Sequence, residues 1–168
     1  GIDSADYNAS TVGVSVSIAS GTGSGGDAAG DTLTGIENLI GSGLADTLTG
    51  DTGNNALFGG AGNDLLTGGS GADTLDGGTG TDTADYSASV GAVTISLTSG
   101  TATGGDATGD VLTGFENLTG SAFADALTGD GAANVLTGGA GADTLSGLVG
   151  NDALYGGNDA DVLAGGLG

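Results

Sequence analysis

The chain reads as an all-β protein, a solenoid of short parallel strands, with two nonapeptide arrays separated by a strand-containing insert. Three observations predict this. Leu39, Leu48, Leu57, Leu66 and Leu75 recur every nine residues, as do Leu118, Leu127, Leu136, Leu145, Leu154 and Leu163. Glycine keeps the same step, from Gly41 to Gly77 and again from Gly120 to Gly165. An acidic or amide residue keeps it too: Asp46, Asn55, Asp64, Asp73 and Asp82, then Asp125, Asn134, Asp143, Asp152 and Asp161. A short period that holds turn, polar and core residues in fixed phase marks a solenoid. No stretch has a helical period, and glycine recurs too often for a helix to survive.

A longer repeat contains the first. Asp3-Ser4-Ala5-Asp6-Tyr7 matches Asp82-Thr83-Ala84-Asp85-Tyr86 at an offset of 79 residues, and Ile36-Glu37-Asn38-Leu39 matches Phe115-Glu116-Asn117-Leu118. Since 79 is not a multiple of nine, each unit holds an insert that resets the phase. The chain divides into residues 1–40 (insert strands and a turn leading into the first array), 41–85 (array one), 86–119 (insert, a copy of 7–40) and 120–168 (array two).

Within the insert the period changes to two. Val12, Val14, Val16 and Ile18 alternate with Gly13, Ser15 and Ser17, and Val93, Ile95 and Leu97 alternate with Thr94 and Ser96. β-Branched residues at alternate positions predict a half-buried strand. A Gly/Thr/Ser turn follows at 21–26 or 100–105, and then a second short strand in Gly-Asp-Thr-Leu-Thr or Gly-Asp-Val-Leu-Thr. Tyr7 and Tyr86 mark the packing of the insert on the coil.

Composition restricts the chemistry. The 168 residues carry 21 acidic groups and no Lys, Arg or His, for a net charge of −21. Every carboxylate must therefore be solvated, protonated or paired with something from outside the chain. Carboxylate and carbonyl oxygens suit a hard metal ion. Without a cationic side chain, nucleic acid is excluded as a partner, and no apolar run reaches membrane-spanning length. With no His, Cys or Lys, nucleophilic and general-base catalysis lack their usual groups, so the segment reads as a non-enzyme.

The blocks in phase are GGAGNDLLT (59–67), GGSGADTLD (68–76) and GGTGTDTAD (77–85), then GGAGADTLS (138–146), GLVGNDALY (147–155) and GGNDADVLA (156–164). They resemble the GGxGxDxUx nonapeptide of the RTX (repeats-in-toxin, hemolysin-type calcium-binding) family. The resemblance implies a parallel β-roll with Ca²⁺ in the turns, on a protein that leaves a bacterial cell by type I secretion and folds outside it. The residue types fit that role independently. Six residues make a tight turn in which glycine lets carbonyls crowd an ion, and three make a strand with one inward Leu.

Two nonapeptides complete one coil, which stacks Asp46, Asp64 and Asp82 on one edge and Asn55 with Asp73 on the other. In the second array it stacks Asp125, Asp143 and Asp161 opposite Asn134 and Asp152. With Gly60, Gly62, Gly69, Gly71, Gly78, Gly80, Gly139, Gly141 and Gly150, these are the candidate metal residues, offering the oxygen-only cage Ca²⁺ prefers. About six stacked turn sites would bring roughly +12 of charge, leaving an acidic surface.

Departures from the pattern set further expectations. The turns 41–46 and 120–125 lack the second glycine and read as holding half a site. Asn55 and Asn134 offer a neutral oxygen, hence weaker sites. Leu148 and Asp159 interrupt the glycine pattern near Asp152 and Asp161. Asp27, Asp31, Asp106 and Asp110 lie off-register and read as turn residues, with a further ion site as the alternative, and Glu37 and Glu116 read as loop hydrogen-bonding or capping groups rather than ligands. The Thr-Leu-Thr triplets at 32–34 and 47–49 form no sustained ladder, which argues against ice binding.

One buried Leu per nine residues falls well short of the entropy of ordering them, so the arrays are expected to fold only with the ion. Both ends of the chain fall inside the repeat, which suggests a segment of a longer polypeptide or a unit that stacks end to end with further β-roll units. Two roles follow: a structural segment of a secreted or cell-surface protein (adhesin, surface layer or fibre), or an accessory module of a type I-secreted enzyme with catalysis elsewhere.

Overall fold

The computed structural model describes residues 1–168. The first 79-residue copy supplies β1 (Ser4–Asp6), β2 (Ser15–Ser17), β3 (Thr22–Ser24), β4 (Asn38–Ile40), β5 (Thr47–Thr49), β6 (Ala56–Gly62), β7 (Leu65–Thr67) and β8 (Thr74–Gly80). The second copy and the remainder supply β9 (Thr83–Asp85), β10 (Thr94–Ser96), β11 (Thr101–Thr103), β12 (Val111–Thr113) and β13 (Asn117–Thr119). Then follow β14 (Ala126–Thr128), β15 (Val135–Gly139), β16 (Thr144–Ser146), β17 (Ala153–Gly157) and β18 (Val162–Ala164).

The strands form two sheets. One has ten strands in the order β1-β4-β6-β8-β12-β11-β10-β14-β16-β18; the other has eight, β17-β15-β13-β9-β7-β5-β2-β3. Within the arrays all pairing is parallel and in leucine register: Leu39 beside Leu57 beside Leu75, and Leu48 beside Leu66. The second array repeats this with Leu118, Leu136 and Leu154, and with Leu127, Leu145 and Leu163. The nonapeptide step therefore alternates sheets, and two steps close a coil. Of these leucines, all from Leu39 to Leu145 are fully buried, each contributing about 1.5–3 kcal/mol.

The insert differs from its sequence reading in three respects, one being that residues 30–34 of the first copy form only an isolated bridge from Thr32 to Thr22, although the equivalent β12 forms in the second. The alternating run is not one strand: β2 covers only Ser15–Ser17, with Val14 and Val16 buried and Val12 57 % exposed. The segment read as a turn instead contains β3, which returns antiparallel to β2, and β11 does the same against β10. β3 (Thr-Gly-Ser) carries no apolar side chain and β11 (Thr-Ala-Thr) only the small buried Ala102, so no apolar pattern announces them. Each hairpin continues into a single 3₁₀ turn, Gly26–Ala28 or Gly105–Ala107, whose alanine is buried.

Both sheets run unbroken through the joint between copies. β8 pairs with β12, and β9 with β13, in parallel register. The insert also exchanges the sheets. β4 lies in the ten-stranded sheet, while its equivalent one copy on, β13, lies in the eight-stranded one. Equivalent turns of the two copies thus emerge on opposite edges of one continuous solenoid.

Leu148 and Asp159 are the only non-glycine residues at positive φ (75° and 76°), and they hold turn positions that glycine fills elsewhere. The left-handed conformation costs a residue with Cβ about 1–2 kcal/mol. Leu148→Gly is therefore expected to stabilise the chain by about 0.5–1 kcal/mol, the relief exceeding the added unfolded-state entropy. Thermal unfolding in saturating calcium checks this.

Candidate metal centre

Along each edge, one carboxylate oxygen of every in-phase Asp is spent on the coil before it. Asp64 Oδ1 accepts the Asp46 N–H at 2.8 Å, and Asp82 Oδ1 accepts that of Asp64 at 2.8 Å. Asp73 Oδ1 accepts the Asn55 N–H at 2.9 Å. In the second array Asp143, Asp161 and Asp152 accept from Asp125, Asp143 and Asn134 at 2.8, 3.0 and 2.9 Å. All six bonds span 18 residues, the length of one coil.

The second oxygen divides the ten turns into two kinds. In the turns 41–46 and 120–125 the chain closes on it, and in 50–55 and 129–134 an Asn puts its single side-chain oxygen in the same place. Ser42 donates its N–H to Asp46 Oδ2 at 2.5 Å and its hydroxyl to Oδ1 at 2.9 Å, while Val14 N–H also reaches Oδ1 at 2.7 Å. Ser121 and Val93 serve Asp125 in the same way. Asn55 Oδ1 accepts the Asp51 N–H at 2.8 Å and Nδ2 donates to the Glu37 carbonyl at 2.8 Å. Asn134 repeats this with Asp130 and Glu116. The sequence suggested half-sites and weak sites here; the geometry presents closed turns with every side-chain oxygen occupied.

The other six turns are open. Their second and fourth positions hold positive φ: Gly60 and Gly62, Gly69 and Gly71, Gly78 and Gly80, Gly139 and Gly141, Leu148 and Gly150, Gly157 and Asp159. No turn N–H then reaches the second oxygen. Oδ2 of Asp64, Asp73, Asp82, Asp143 and Asp152 is buried without a hydrogen-bond partner. Asp161, at the less covered end, is half-buried.

These orphaned oxygens face more oxygen. A Cβ built on Gly59 would lie 2.4 Å from Asp64 Oδ2 and 2.6 Å from the Gly77 carbonyl oxygen, and one on Gly138 would lie 2.2 Å from Asp143 Oδ2 and 2.6 Å from the Gly156 carbonyl oxygen. The closed turn at Gly41 brings Asp46 Oδ2 and the Gly59 carbonyl oxygen together in the same way, but only in the open turns does the chain, which has no cationic side chain, supply no donor to the carboxylate. Leaving a buried carboxylate oxygen unpaired is costly. A hard divalent cation satisfies both oxygens at once and matches their chemistry. No three acidic side chains converge anywhere, so an ion held here draws mostly on backbone oxygens.

Burial pushes the carboxyls of Asp64 and Asp73 up to about 6 from their ordinary value near 4, against the lowering effect of the backbone N–H each accepts. Neighbouring carboxylates (Asp82 and Asp46 for Asp64; Asp110 and Asp51 for Asp73) add to the rise. Asp82 and Asp143 are raised chiefly by burial as well. A raised folded-state value means the ion-free fold binds protons more tightly than the unfolded chain. The penalty is complete above pH 6 and disappears below the ordinary carboxylate range. In chelator, acidification from pH 7.5 to pH 5 is therefore expected to increase strand content by circular dichroism, with the proton standing in for the cation.

The family model for the RTX calcium-binding nonapeptide repeat matches residues 31–66, 40–75, 49–84, 110–145 and 137–168. The chain belongs to the RTX calcium-binding repeat family. Its β-roll is that of the RTX fold, and calcium binding comes with it. A search of curated proteins returned no match.

The RTX match begins at Asp31 and Asp110, two residues first read as plain turn residues. Asp110 in fact extends the edge column: its Oδ1 accepts the Asp73 N–H at 2.8 Å, and its Oδ2 accepts the Tyr86 hydroxyl at 2.8 Å. Tyr7 and Asp31 form the equivalent pair at 3.1 Å. Burial raises the Tyr86 phenol far above its ordinary value, with Asp110 adding to the effect, so it stays a donor. Glu116 Oε2 accepts the Asp82 N–H at 2.8 Å, and Glu37 that of Asp3 at 2.8 Å, the capping role expected of them. A signal for Asp31 was present: Asp31-Thr32-Leu33-Thr34-Gly35 repeats Asp46-Thr47-Leu48-Thr49-Gly50 letter for letter.

Proposed function

We propose that the open turns hold Ca²⁺ through Asp64, Asp73, Asp82, Asp143, Asp152 and Asp161, with backbone oxygens of the turn glycines completing each site. The closed turns at Asp46, Asn55, Asp125 and Asn134 hold none. The observation that carries this is the set of five buried carboxylate oxygens with no partner, all in open turns. Six ions remove about twelve negative charges and leave the surface acidic.

The chain then serves as a calcium-stiffened spacer in a secreted or cell-surface bacterial protein such as an adhesin, surface layer or fibre. The unbroken passage of both sheets through the joint supports this reading, because the second copy lengthens one rod and adds no separate domain. Further β-roll units would extend it in the same way. Its RTX character fits passage through type I secretion with the fold incomplete where calcium is scarce, and its completion outside. Circular dichroism during calcium titration tests the reading: strand signal is expected to rise saturably with calcium and fall with chelator. A signal indifferent to both would contradict it.

A further inference from the structure

We infer that each 79-residue unit begins with an ion-independent clamp, residues 4–58 or 83–137, and that calcium is required only for the open turns after it, 59–82 and 138–161. This rests on the assignment of calcium to the open turns. One feature marks the boundary, and two more single out the insert within each clamp as its stable part.

The first is how carboxylates are satisfied. None of the five orphaned oxygens lies within either clamp. Where an open turn leaves an acceptor unpaired, the clamp brings a donor of its own. The Ser121 N–H and hydroxyl serve Asp125, the Asn134 amide reaches the Glu116 carbonyl, and the Tyr86 hydroxyl serves Asp110. The Tyr86 hydroxyl is notable because Asp110 stands in the same column as Asp73, whose second oxygen has no donor.

The second is apolar content. Residues 86–118 bury Tyr86, Val93, Ile95, Ala102, Ala107, Leu112, Phe115 and Leu118, whereas residues 59–82 bury only Leu66 and Leu75. Burial at about 25 cal/mol per Å² makes that contrast the main difference in ion-free stability between the two segments. The third is chain connectivity. The antiparallel pairing of β10 with β11 is local, so its closure costs less entropy than stacking coils. Calcium on this account extends a fold already present, and each array grows from its clamp toward the C-terminus.

Hydrogen exchange on the whole chain, with calcium and with chelator, tests this. In chelator, amides of β10, β11, β13 and β14 are expected to stay protected at least about a hundredfold over unstructured chain, while those of residues 65–82 and 144–161 lose protection. Tyr86→Phe leaves Asp110 short of a donor and is expected to reduce clamp protection in chelator at least about tenfold, with the number of bound ions unchanged. Loss of protection everywhere at once in chelator, restored everywhere by calcium, would overturn the clamp yet leave the calcium assignment standing. Protection indifferent to calcium throughout would overturn both. A change in ion count on Tyr86→Phe would also contradict the clamp, because the joint would then be an ion site.

Discussion

Asp64→Asn is expected to change the stability of the chain in opposite directions with and without calcium. The amide oxygen keeps the bond from the Asp46 N–H, so the coil register survives. What is lost is the charge on the orphaned oxygen, and with it one ion. At a free calcium concentration one hundred times the site's dissociation constant, that loss costs about 3 kcal/mol. In chelator the same substitution removes a buried, unpaired carboxylate whose protonation is already favoured up to about pH 6, so the ion-free chain becomes more stable. Denaturant unfolding in calcium, and hydrogen exchange of residues 65–82 in chelator, check the pair of signs. A solvated acidic residue would give no such reversal.

Gly80→Ala is expected to do comparable damage by a different route. Gly80 holds φ at 149°, and a Cβ there would lie 1.6 Å from the Gly62 carbonyl oxygen one coil earlier. Neither backbone can yield without parting β6 from β8, which pair through Gly60 with Gly78 and Gly62 with Gly80. Strain and overpacking together cost about 2–5 kcal/mol. The turn pair around Asp64 and Asp82 would open, lowering the ion count as well as the unfolding midpoint in calcium. Gly30→Ala is a suitable control, since a Cβ there meets nothing while φ is also positive.

The coil itself was legible in the sequence because its determinants are strictly periodic. The leucine column, the eighteen-residue stack and the pairing of Asp64 with Asp82 all follow from one repeat and a two-sided architecture. The insert was only half legible. Val16 in β2 and Val14 just before it are buried, a visible alternation, while β3 is Thr-Gly-Ser and is fixed by its neighbour's backbone.

The distinction between open and closed turns was hidden for another reason. Asp46 and Asp64 are the same residue in the same phase, and Ser42 in place of Gly60 decides whether a turn N–H points at the carboxylate. The missing second glycine is plain in the sequence, but its consequence depends on backbone direction. The exchange of edges between copies follows from the length of the insert, which can be counted only once its pairing with β4, β5 and β12 is known.

On the proposed function, cations occupy the open turns and leave the closed ones alone. Calorimetric titration of the ion-free chain with calcium, counting bound ions, tests this most directly. Five to six ions are expected for the intact chain, one fewer after Asp143→Asn, and no change after Asn55→Ala. A count near ten, or a count that falls with Asn55 and ignores Asp143, would contradict it.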